Sequence, residues 1–268
     1  MNLLVTLDSA YIHILCVMLK SVLISNPNTE FTVYMLNSSL TEEDFEKVNN
    51  YLQNDRIKLV DIKINDELLD GAPVTDRYPK EMYYRIFAAK FLPRDIDRIL
   101  YLDPDLIVRK ELDSLYNMDL GDNYFAAASH VGKFLTSFNA LRLEMDDEAP
   151  YINSGVMLMN IALLRKEQNL QEVFDYIEEK KNLLILPDQD VISAVYGERI
   201  ITIDPFIYNM NDRLFFSTES IKNGITVEWV AENSAVIHYF GRNKPWKDSY
   251  VGFLGYMYHD VVNAPLPK

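Results

Sequence analysis

The sequence predicts an α/β protein with a mostly parallel central sheet, flanking helices and an elaborated C-terminal half. Strand-like and helix-like patterns alternate through the first hundred residues, which is typical of a parallel sheet covered by helices. One apolar run ends abruptly at two aspartates, and open α/β sheets bind ligands at the carboxyl ends of their strands. No linker, repeat or low-complexity segment divides the 268 residues, so we expect a single domain.

The first half contains the alternating elements. Residues 10–25 carry apolar side chains three and four apart, as on one helix face, and Asn26-Pro27 ends the pattern. A helix over 41–52 begins at Thr41 with Asp44 three residues later, close to a capping box. The remaining predicted elements are a helix over 80–91 and strands over 2–7, 30–36, 56–62 and 98–102.

The second half is less regular. Its predicted strands are 124–129, 154–160 and 235–240, and its predicted helices are 170–180 and 189–195. Stretches without a clear period are candidates for lids or substrate loops, at 63–79, 130–150 and 204–233.

Composition and charge narrow the possible partners. The chain is 49% hydrophobic and carries a net charge of −14. Nucleic acids and anionic membranes reward basic patches, so we expect neither as a main partner. The apolar stretch at 10–24 is too short and too polar to cross a membrane, which predicts no integral membrane segment and leaves peripheral association open. Cys16 is the only cysteine, and a chain without an intramolecular disulfide fits a cytoplasmic location.

Asp103 and Asp105 are candidate metal ligands. They follow the apolar run 99–102, and side chains two apart on an extended chain point to the same side. Two carboxylates at one point repel unless a cation or a proton lies between them, and hard oxygen ligands suit Mg²⁺, Mn²⁺ or Ca²⁺. The spacing leaves open a surface turn built around Pro104. By contrast, the similar pair Asp95-Ile-Asp97 precedes the apolar run and predicts a solvated turn.

Several motifs are missing. The nine glycines contain no G-x-G, which disfavours a dinucleotide fingerprint and a kinase phosphate loop, and there is no Walker A sequence. The chain also lacks a G-x-S-x-G elbow and an H-E-x-x-H motif. A phosphate must therefore be held in another way, and a metal on the two aspartates is one.

Five ordered segments together resemble glycosyltransferase family 8. In chain order they are VTLDSAY at 5–11, YR at 84–85, LYLDPD at 100–105, INSGVMLMN at 152–160 with PDQD at 187–190, and HYFGRNKPW at 238–246. The resemblance implies a GT-A fold with a Rossmann-like central sheet, a UDP-glucose or UDP-galactose donor, a Mn²⁺ cofactor and retention at the anomeric carbon. It divides a single domain over 1–268 into a nucleotide-binding half, 1–108, and a sugar and acceptor half, 109–268.

The resemblance also implies a role for each matching residue. Asp103, Asp105 and His238 look like the metal ligands, and an imidazole beside two carboxylates favours Mn²⁺ while Mg²⁺ stays possible. Gln189 and Asp188 look like the catalytic residues, with Gln189 near the anomeric carbon. The matches that look like donor contacts, with Gly241 and Lys244 on the diphosphate, are Thr6, Asp8, Ser9, Ala10, Tyr11, Arg85, Asp103, Pro104, Asn153, Gly241 and Lys244.

Several of these residues also have a purely structural interpretation. His238 could be a core histidine, Lys244 a solvated lysine and Gly241 a strand-end turn. Asn153 and Asp188 could be caps. Arg85 could lie on the exposed face of its helix, and Tyr11 could pack as part of the apolar stripe of the first helix. We expect Trp246 to pack rather than bind.

On this resemblance we expect a metal-dependent retaining glycosyltransferase acting on a glycan, lipid-linked or protein acceptor. One alternative is a metal-dependent sugar nucleotidyltransferase, although its usual Gly-rich basic loop is absent. The other is a non-catalytic nucleotide-sugar-binding partner of a glycosylation complex. The loops 71–80 and 241–249 flank the expected donor site and would close over it as a lid.

Overall fold

The computed structural model describes residues 1–65, 80–130 and 133–267. The proposed lid at 71–80 lies outside these residues except for its last position. The predicted irregular stretch at 63–79 also lies almost wholly outside them, whereas the loop at 241–249 is described.

Seven strands form the central sheet, and two more form a short ribbon beside it. In chain order the strands are β1 Asn2–Thr6, β2 Phe31–Asn37, β3 Ile57–Lys63, β4 Arg98–Leu102, β5 Leu106–Val108, β6 Phe125–Ala128, β7 Val156–Asn160, β8 Ile200–Ile203 and β9 Val236–His238. The sheet order is β3-β2-β1-β4-β7-β6-β8, and β5 pairs with β9 in the ribbon. Only β7 runs against its neighbours, so the prediction of a mostly parallel sheet is confirmed.

Helices cover this sheet. In chain order they are α1 Ile12–Ser25, α2 Glu42–Leu52, α3 Glu81–Tyr84, α4 Ala88–Phe91, α5 Asp113–Tyr116, α6 Lys133–Leu143, α7 Ile161–Glu167, α8 Leu170–Lys180, α9 Pro187–Tyr196, α10 Pro205–Tyr208, α11 Asp212–Phe215, α12 Thr218–Lys222, α13 Val227–Asn233 and α14 Gly255–Asn263. Short 3₁₀ turns at Ser9–Tyr11 and Gly197–Arg199 precede α1 and β8. No helix among the described residues is long and apolar enough to cross a membrane.

Three of the expected elements were wrong in detail. The single helix expected over 80–91 is split into α3 and α4. The stretch at 130–150 contains α6, and the stretch at 204–233 contains α10 to α13. Each of those last four helices begins at a side chain that accepts a backbone hydrogen bond, namely Asp204, Asn211, Ser217 and Thr226. Because none exceeds seven residues, no apolar period is long enough to reveal them.

Alternating strand residues face two separate apolar layers. On β1, Leu3 and Val5 pack into the layer that contains α1, while Leu4 packs on the opposite face with Tyr101 of β4. A third cluster holds the β5–β9 ribbon against the helices α10, α11 and α14. This cluster fixes the ribbon beyond the sheet.

The functional edge of the sheet is where β1 and β4 end. Because β7 is antiparallel to β4, it begins at the same edge, and the backbone amide of Asp103 donates to the carbonyl of Gly155 over 2.8 Å. The pairing of Leu106 with His238 in the ribbon brings the end of β9 to this edge as well. Four separated segments of the sequence therefore meet there.

Candidate active site

A cleft of about 1300 Å³ opens at this edge. Its wall contains every residue that the sequence analysis assigned to a site except Ser9. Ser9 is exposed and borders a separate, smaller hollow beside Asp44 and Lys47. Asp8, one residue earlier, lies on the cleft and accepts a hydrogen bond from the Ala10 amide over 2.9 Å, which caps the 3₁₀ turn. The expected donor contact at Ser9 is therefore not supported by its position.

The acidic pair and His238 form the floor of the cleft. Residues 103–105 make a turn between β4 and β5, but Pro104 and Asp105 are buried, so the alternative of a surface turn was wrong. The two carboxylates converge, as predicted. His238 Nε2 lies 3.1 Å from Asp105 Oδ1 and 3.5 Å from Asp103 Oδ2. One ligand atom from each residue lies within 4.8 Å of the other two. Asp95 and Asp97, by contrast, are exposed, as predicted.

The two carboxylates are also held on the side that faces away from His238. Asp103 Oδ1 accepts from the Tyr101 hydroxyl over 2.6 Å and lies 3.1 Å from the Arg85 guanidinium. Asp105 Oδ2 accepts from the Lys244 ammonium, which also donates to the Tyr239 carbonyl over 2.9 Å. Fixing the outer oxygens leaves Asp103 Oδ2 and Asp105 Oδ1 directed at the His238 ring.

Charge at the floor favours a cation. Burial alone would lower the pKa of His238, but Asp105 and then Asp103 raise it to about 9. Burial alone would raise the pKa of Asp103, but Arg85 and His238 hold it well below its usual range. Lys244 and His238 likewise lower the pKa of Asp105 against the effect of its burial. The carboxylates therefore stay ionised and create a negative potential around the imidazole.

Gly155 makes the convergence sterically possible. A Cβ built on this glycine would lie 2.1 Å from His238 Cε1 and 2.7 Å from Asp103 Oδ2. Any side chain there would displace the ring or the carboxylate. The start of β7 can approach the site closely only because this residue has no side chain.

Arg85 joins the floor to the side wall. Its guanidinium lies 4.3 Å from the centroid of the Tyr101 ring and 3.1 Å from Asp188 Oδ2, and Asp188 also accepts from the Ser154 hydroxyl over 2.7 Å. Arg85 is only 7% exposed, so the interpretation as an exposed helix residue was wrong. Asp188 lies in the first turn of α9, whose N-cap is Leu186, so the capping interpretation was also wrong.

Burial raises the pKa of Asp188, and Arg85 and Ser154 oppose that shift. The carboxylate therefore sits in a pocket where protonation is easier than in water, although it keeps a cationic partner.

A chain of amides connects the floor to the start of α9. His238 Nδ1 donates to Asn209 Oδ1 over 3.0 Å, and Asn209 Nδ2 donates to Asn153 Oδ1 over 2.9 Å. Asn153 Nδ2 then donates to Gln189 Oε1 over 3.2 Å. Asn209 is completely buried and links two residues that the sequence assigned to different parts of the site.

Asp190 points away from the cleft. Its oxygens accept two hydrogen bonds from Arg142, each 2.8 Å long, and one of 2.6 Å from Tyr151. The backbone amides of Ile185 and Leu186 also donate to it. Asp190 has no exposed surface, whereas Gln189, one residue earlier, lines the cleft.

The C-terminal wall of the cleft is the loop after β9. Gly241 has φ of +84°, a backbone conformation that a glycine adopts without strain. Lys244 is 7% exposed, so it is not a solvated lysine. Trp246 packs against Tyr258 with ring centroids 5.5 Å apart, as expected, and still borders the cleft.

Tyr11, on the opposite wall, is 38% exposed, so its interpretation as a packed core residue was wrong.

Sequence reasoning did not identify several residues that build the site. Tyr101 and Ser154 lie inside the quoted motifs and could have been found from their spacing to Asp103 and Asn153. Asn209 and His130 lie in stretches expected to be irregular, so no local pattern marked them.

The ring of His130 stacks on Phe240 and hydrogen-bonds the Asn209 carbonyl over 2.8 Å. Burial, with a smaller effect of His238, lowers the pKa of His130 to about 4, so this ring is neutral at pH 7.

The donor set fits a hard or borderline divalent cation. Two carboxylate oxygens and one imidazole nitrogen are ligands typical of Mn²⁺ and acceptable to Mg²⁺. Outer hydrogen bonds to the ligands, as from Tyr101, Lys244 and Asn209, are the usual support of protein metal sites. Among the described residues, this is the one group of three or more such side chains that could hold an ion.

The fold is that of a known class of enzyme. The crystal structure of the galactosyltransferase LgtC in complex with donor and acceptor sugar analogues has a TM-score of 0.82 to this chain. The match covers 99% of this chain and 98% of that one at 24% sequence identity. The glycosyltransferase GlyE of Streptococcus pneumoniae has a TM-score of 0.73 and covers 99% of this chain and 60% of its own. The fold is therefore GT-A, with its mostly parallel sheet.

Sequence similarity identifies the family within that class. The profile described as Glycosyl transferase family 8 matches residues 2–249, and the chain belongs to that family. Lipopolysaccharide 1,2-glucosyltransferase of Escherichia coli is 26% identical over 86% of this chain and 68% of its own length. Lipopolysaccharide 1,3-galactosyltransferase of Salmonella typhimurium is 22% identical over 91% of this chain and 72% of its own.

Proposed function

We propose that this protein is a metal-dependent, retaining hexosyltransferase that moves glucose or galactose from a UDP-sugar to a saccharide-bearing acceptor. The observation that carries the proposal is the convergence of Asp103, Asp105 and His238 on the floor of the cleft in a chain of family 8. The names of its relatives support glucose or galactose as the transferred sugar. The acceptor would be a glycan, a lipid-linked sugar or a protein.

Asp103, Asp105 and His238 would hold Mn²⁺, or Mg²⁺, between them. When bound, the ion would supply Lewis-acid stabilisation of the charge that develops on the departing diphosphate. The backbone of Gly241 would face the diphosphate, because a residue without a side chain allows close approach. Lys244 would keep Asp105 oriented and add positive charge beside the leaving group.

The nucleoside would lie along the opposite wall. Thr6 ends β1, and Asp8, Ala10 and Tyr11 follow it on this side. The exposed ring of Tyr11 offers a flat surface to a base. Asp8 can accept a hydrogen bond from a nucleoside only through an oxygen that its cap of the Ala10 amide leaves available. The side chain of Ala10 offers no hydrogen bond to the base.

The sugar would lie between α9 and the residues before β7. Asp188 and Asn153 are held in place by Arg85 and Asn209, so their remaining polar atoms can bind hydroxyl groups without first being ordered. Gln189 would lie nearest the anomeric carbon. Its amide is neither a good base nor a ready nucleophile, but its carbonyl oxygen can stabilise developing positive charge.

The position assigned to Gln189 favours retention of configuration at the anomeric carbon. An inverting enzyme needs a base opposite the leaving group, and a double displacement needs a nucleophilic carboxylate there. Asp188 and Asp190 are the carboxylates on either side of Gln189. Arg142 and Tyr151 hold Asp190 away from the cleft, and Asp188 is paired with Arg85 and accepts from the Ser154 hydroxyl. We infer that the departing phosphate takes the acceptor proton on its own face, which gives an α product from an α donor.

A UDP-release assay tests the proposal. Purified protein with Mn²⁺ would be offered a panel of nucleotide sugars, alone and with simple saccharide acceptors. We expect UDP from UDP-glucose or UDP-galactose, with acceptor-dependent turnover. Asp103→Ala should remove nearly all of it, while Asp95→Ala, in the exposed Asp-x-Asp pair, should not. Pyrophosphate as the product would indicate a nucleotidyltransferase, and binding without turnover would indicate a non-catalytic partner.

A further inference from the structure

The outer wall of the cleft carries three cationic side chains that have no anionic partner in the part of the chain that the structure describes. Arg213, Arg242 and Lys247 are exposed and line the cleft. Within residues 1–65, 80–130 and 133–267, none of the three forms an ion pair or a side-chain hydrogen bond. The guanidinium of Arg213 lies over the ring of Phe240. The rest of the protein is strongly acidic, with a net charge of −14.

We propose that these three cations bind an anionic group on the acceptor, a phosphate or a carboxylate attached to a saccharide. The proposal rests on the proposed function only in naming the bound molecule as the acceptor. Because the wall is positively charged, it would favour acceptors that carry a negative charge.

Two described acids that are next to these cations in the sequence, Asp212 and Asp248, form no ion pair with them. Asp212 precedes Arg213, but its oxygens accept from the Tyr250 hydroxyl and from the backbone amides of Phe253 and Leu254. Asp212 therefore anchors the C-terminal segment. Asp248 follows Lys247 and is exposed without an ion pair to it among the described contacts.

Hydrogen bonds of Asn211 fix the backbone segment that carries Arg213. Arg213 lies in α11, where Asn211 accepts from the Leu214 amide over 2.9 Å and donates to the Asn209 carbonyl over 3.2 Å. The guanidinium carbon lies 5.4 Å from the centroid of the Phe240 ring. A Cβ on Gly241 would lie 3.6 Å from Arg213 Nη2, so the guanidinium extends along the cleft wall.

The anions of the floor have cationic partners of their own. The three carboxylates of Asp103, Asp105 and Asp188 lie against Arg85, Lys244 and the His238 ring. A divalent ion and a donor diphosphate carry opposite charges of equal size and would leave this balance almost unchanged. Arg213, Arg242 and Lys247 are then in excess and remain available for another anion.

Binding measurements on matched saccharides test the proposal. Titration calorimetry would compare galactose 6-phosphate with galactose, and glucuronate with glucose, on protein saturated with Mn²⁺ and UDP. We expect each charged sugar to bind at least about tenfold more tightly than its neutral match, a difference of about 1.4 kcal/mol. The preference should shrink as salt is raised, because the cations are exposed.

A matched pair of variants controls for net charge. Arg213→Gln, Arg242→Gln and Lys247→Gln combined should abolish the preference for charged sugars. Lys58→Gln, Lys110→Gln and Lys222→Gln combined removes the same charge from exposed lysines off the cleft wall and should keep it. Circular dichroism confirms that both variants are folded.

The possible results separate this inference from the proposed function. Equal binding of charged and neutral sugars overturns it, as does an equal loss of preference in the control variant. A loss of UDP affinity in the cleft variant as large as the loss for charged sugars would assign the cations to the donor diphosphate and also overturn it. Charged-sugar preference in a protein that releases no UDP would instead remove the proposed function and leave an anion site.

Discussion

His238 Nδ1 donates a hydrogen bond to Asn209 Oδ1 across 3.0 Å, which leaves Nε2 as the ring nitrogen that faces Asp103 and Asp105. An imidazole can bind a metal only through a nitrogen that carries a lone pair, so the partner of the other nitrogen selects the ligand atom. Asn209 is in turn oriented by its donation to Asn153. The ligand face of the histidine is thus set by a residue that never touches the ion.

Replacing Asn209 with alanine should weaken Mn²⁺ binding about 10- to 100-fold, the usual effect of losing such a support. His238 would lose its partner, and the Asn153 carbonyl would lose a donor. Asn209→Asp should keep Mn²⁺ binding close to the parent protein, because it keeps an acceptor for Nδ1, yet it should impair transfer through the lost bond to Asn153. Electron paramagnetic resonance of free Mn²⁺ measures the affinity directly.

Asn50→Ala, on the exposed face of α2, serves as the control for this series. If the alanine and aspartate variants of Asn209 bound Mn²⁺ equally well, the ring orientation would not depend on Asn209.

Asp190→Asn should destabilise the protein by about 3–5 kcal/mol, because it breaks a buried ion pair and leaves Arg142 without its carboxylate. Urea denaturation measures the loss. Asp175→Asn, at an exposed position of α8, should change stability by less than about 0.5 kcal/mol. A catalytic nucleophile would behave in the opposite way, losing transfer while stability stayed constant, and that result would refute the structural role of Asp190.

UDP with Mn²⁺ should stabilise the fold, while UDP with a chelator should not. At about a hundredfold excess over Kd, mass action gives about 2.7 kcal/mol. For a chain of this size the melting temperature should rise by about 5–10 °C, measured by differential scanning fluorimetry.

Asp105→Asn should abolish the Mn²⁺-dependent part of this rise. The variant also leaves the buried Lys244 without its anion, so its melting temperature without ligand should fall, and only the ligand-dependent shift is compared. Asp95→Asn should retain the full shift. An equal shift for UDP in chelator would exclude a bridging metal.

The parts of the site that could be predicted from sequence are those built from residues close together in the chain. Asp103 and Asp105 are neighbours in the chain, and their position after an apolar strand was enough to predict their convergence. The ion pair of Lys244 with Asp105 spans 139 residues, and the bond of His238 to Asn209 spans 29. Such contacts depend on how β5, β9 and the short helices pack, and no pattern within a single segment encodes that packing. The sheet was predictable because strand and helix periods are local.

The activity of two variants tests the roles assigned to Gln189 and Asp103. Gln189→Ala should slow transfer substantially but leave measurable activity, because the amide would stabilise charge and would not form a bond. Asp103→Ala should remove nearly all activity, because Arg85, Tyr101 and His238 would lose the carboxylate that they share.

Proton NMR of the product, recorded before mutarotation or hydrolysis, should show the α anomer from an α-linked donor. Gln189→Glu gives a further comparison, since a carboxylate at this position could act as a nucleophile and accumulate a glycosyl-enzyme that mass spectrometry detects. The parent protein should form no such adduct. A β product from the parent would require a base opposite the leaving group, and because Asp190 is bound to Arg142 and Tyr151, that base would have to come from elsewhere. It would therefore contradict the retaining mechanism and the position assigned to Gln189 together.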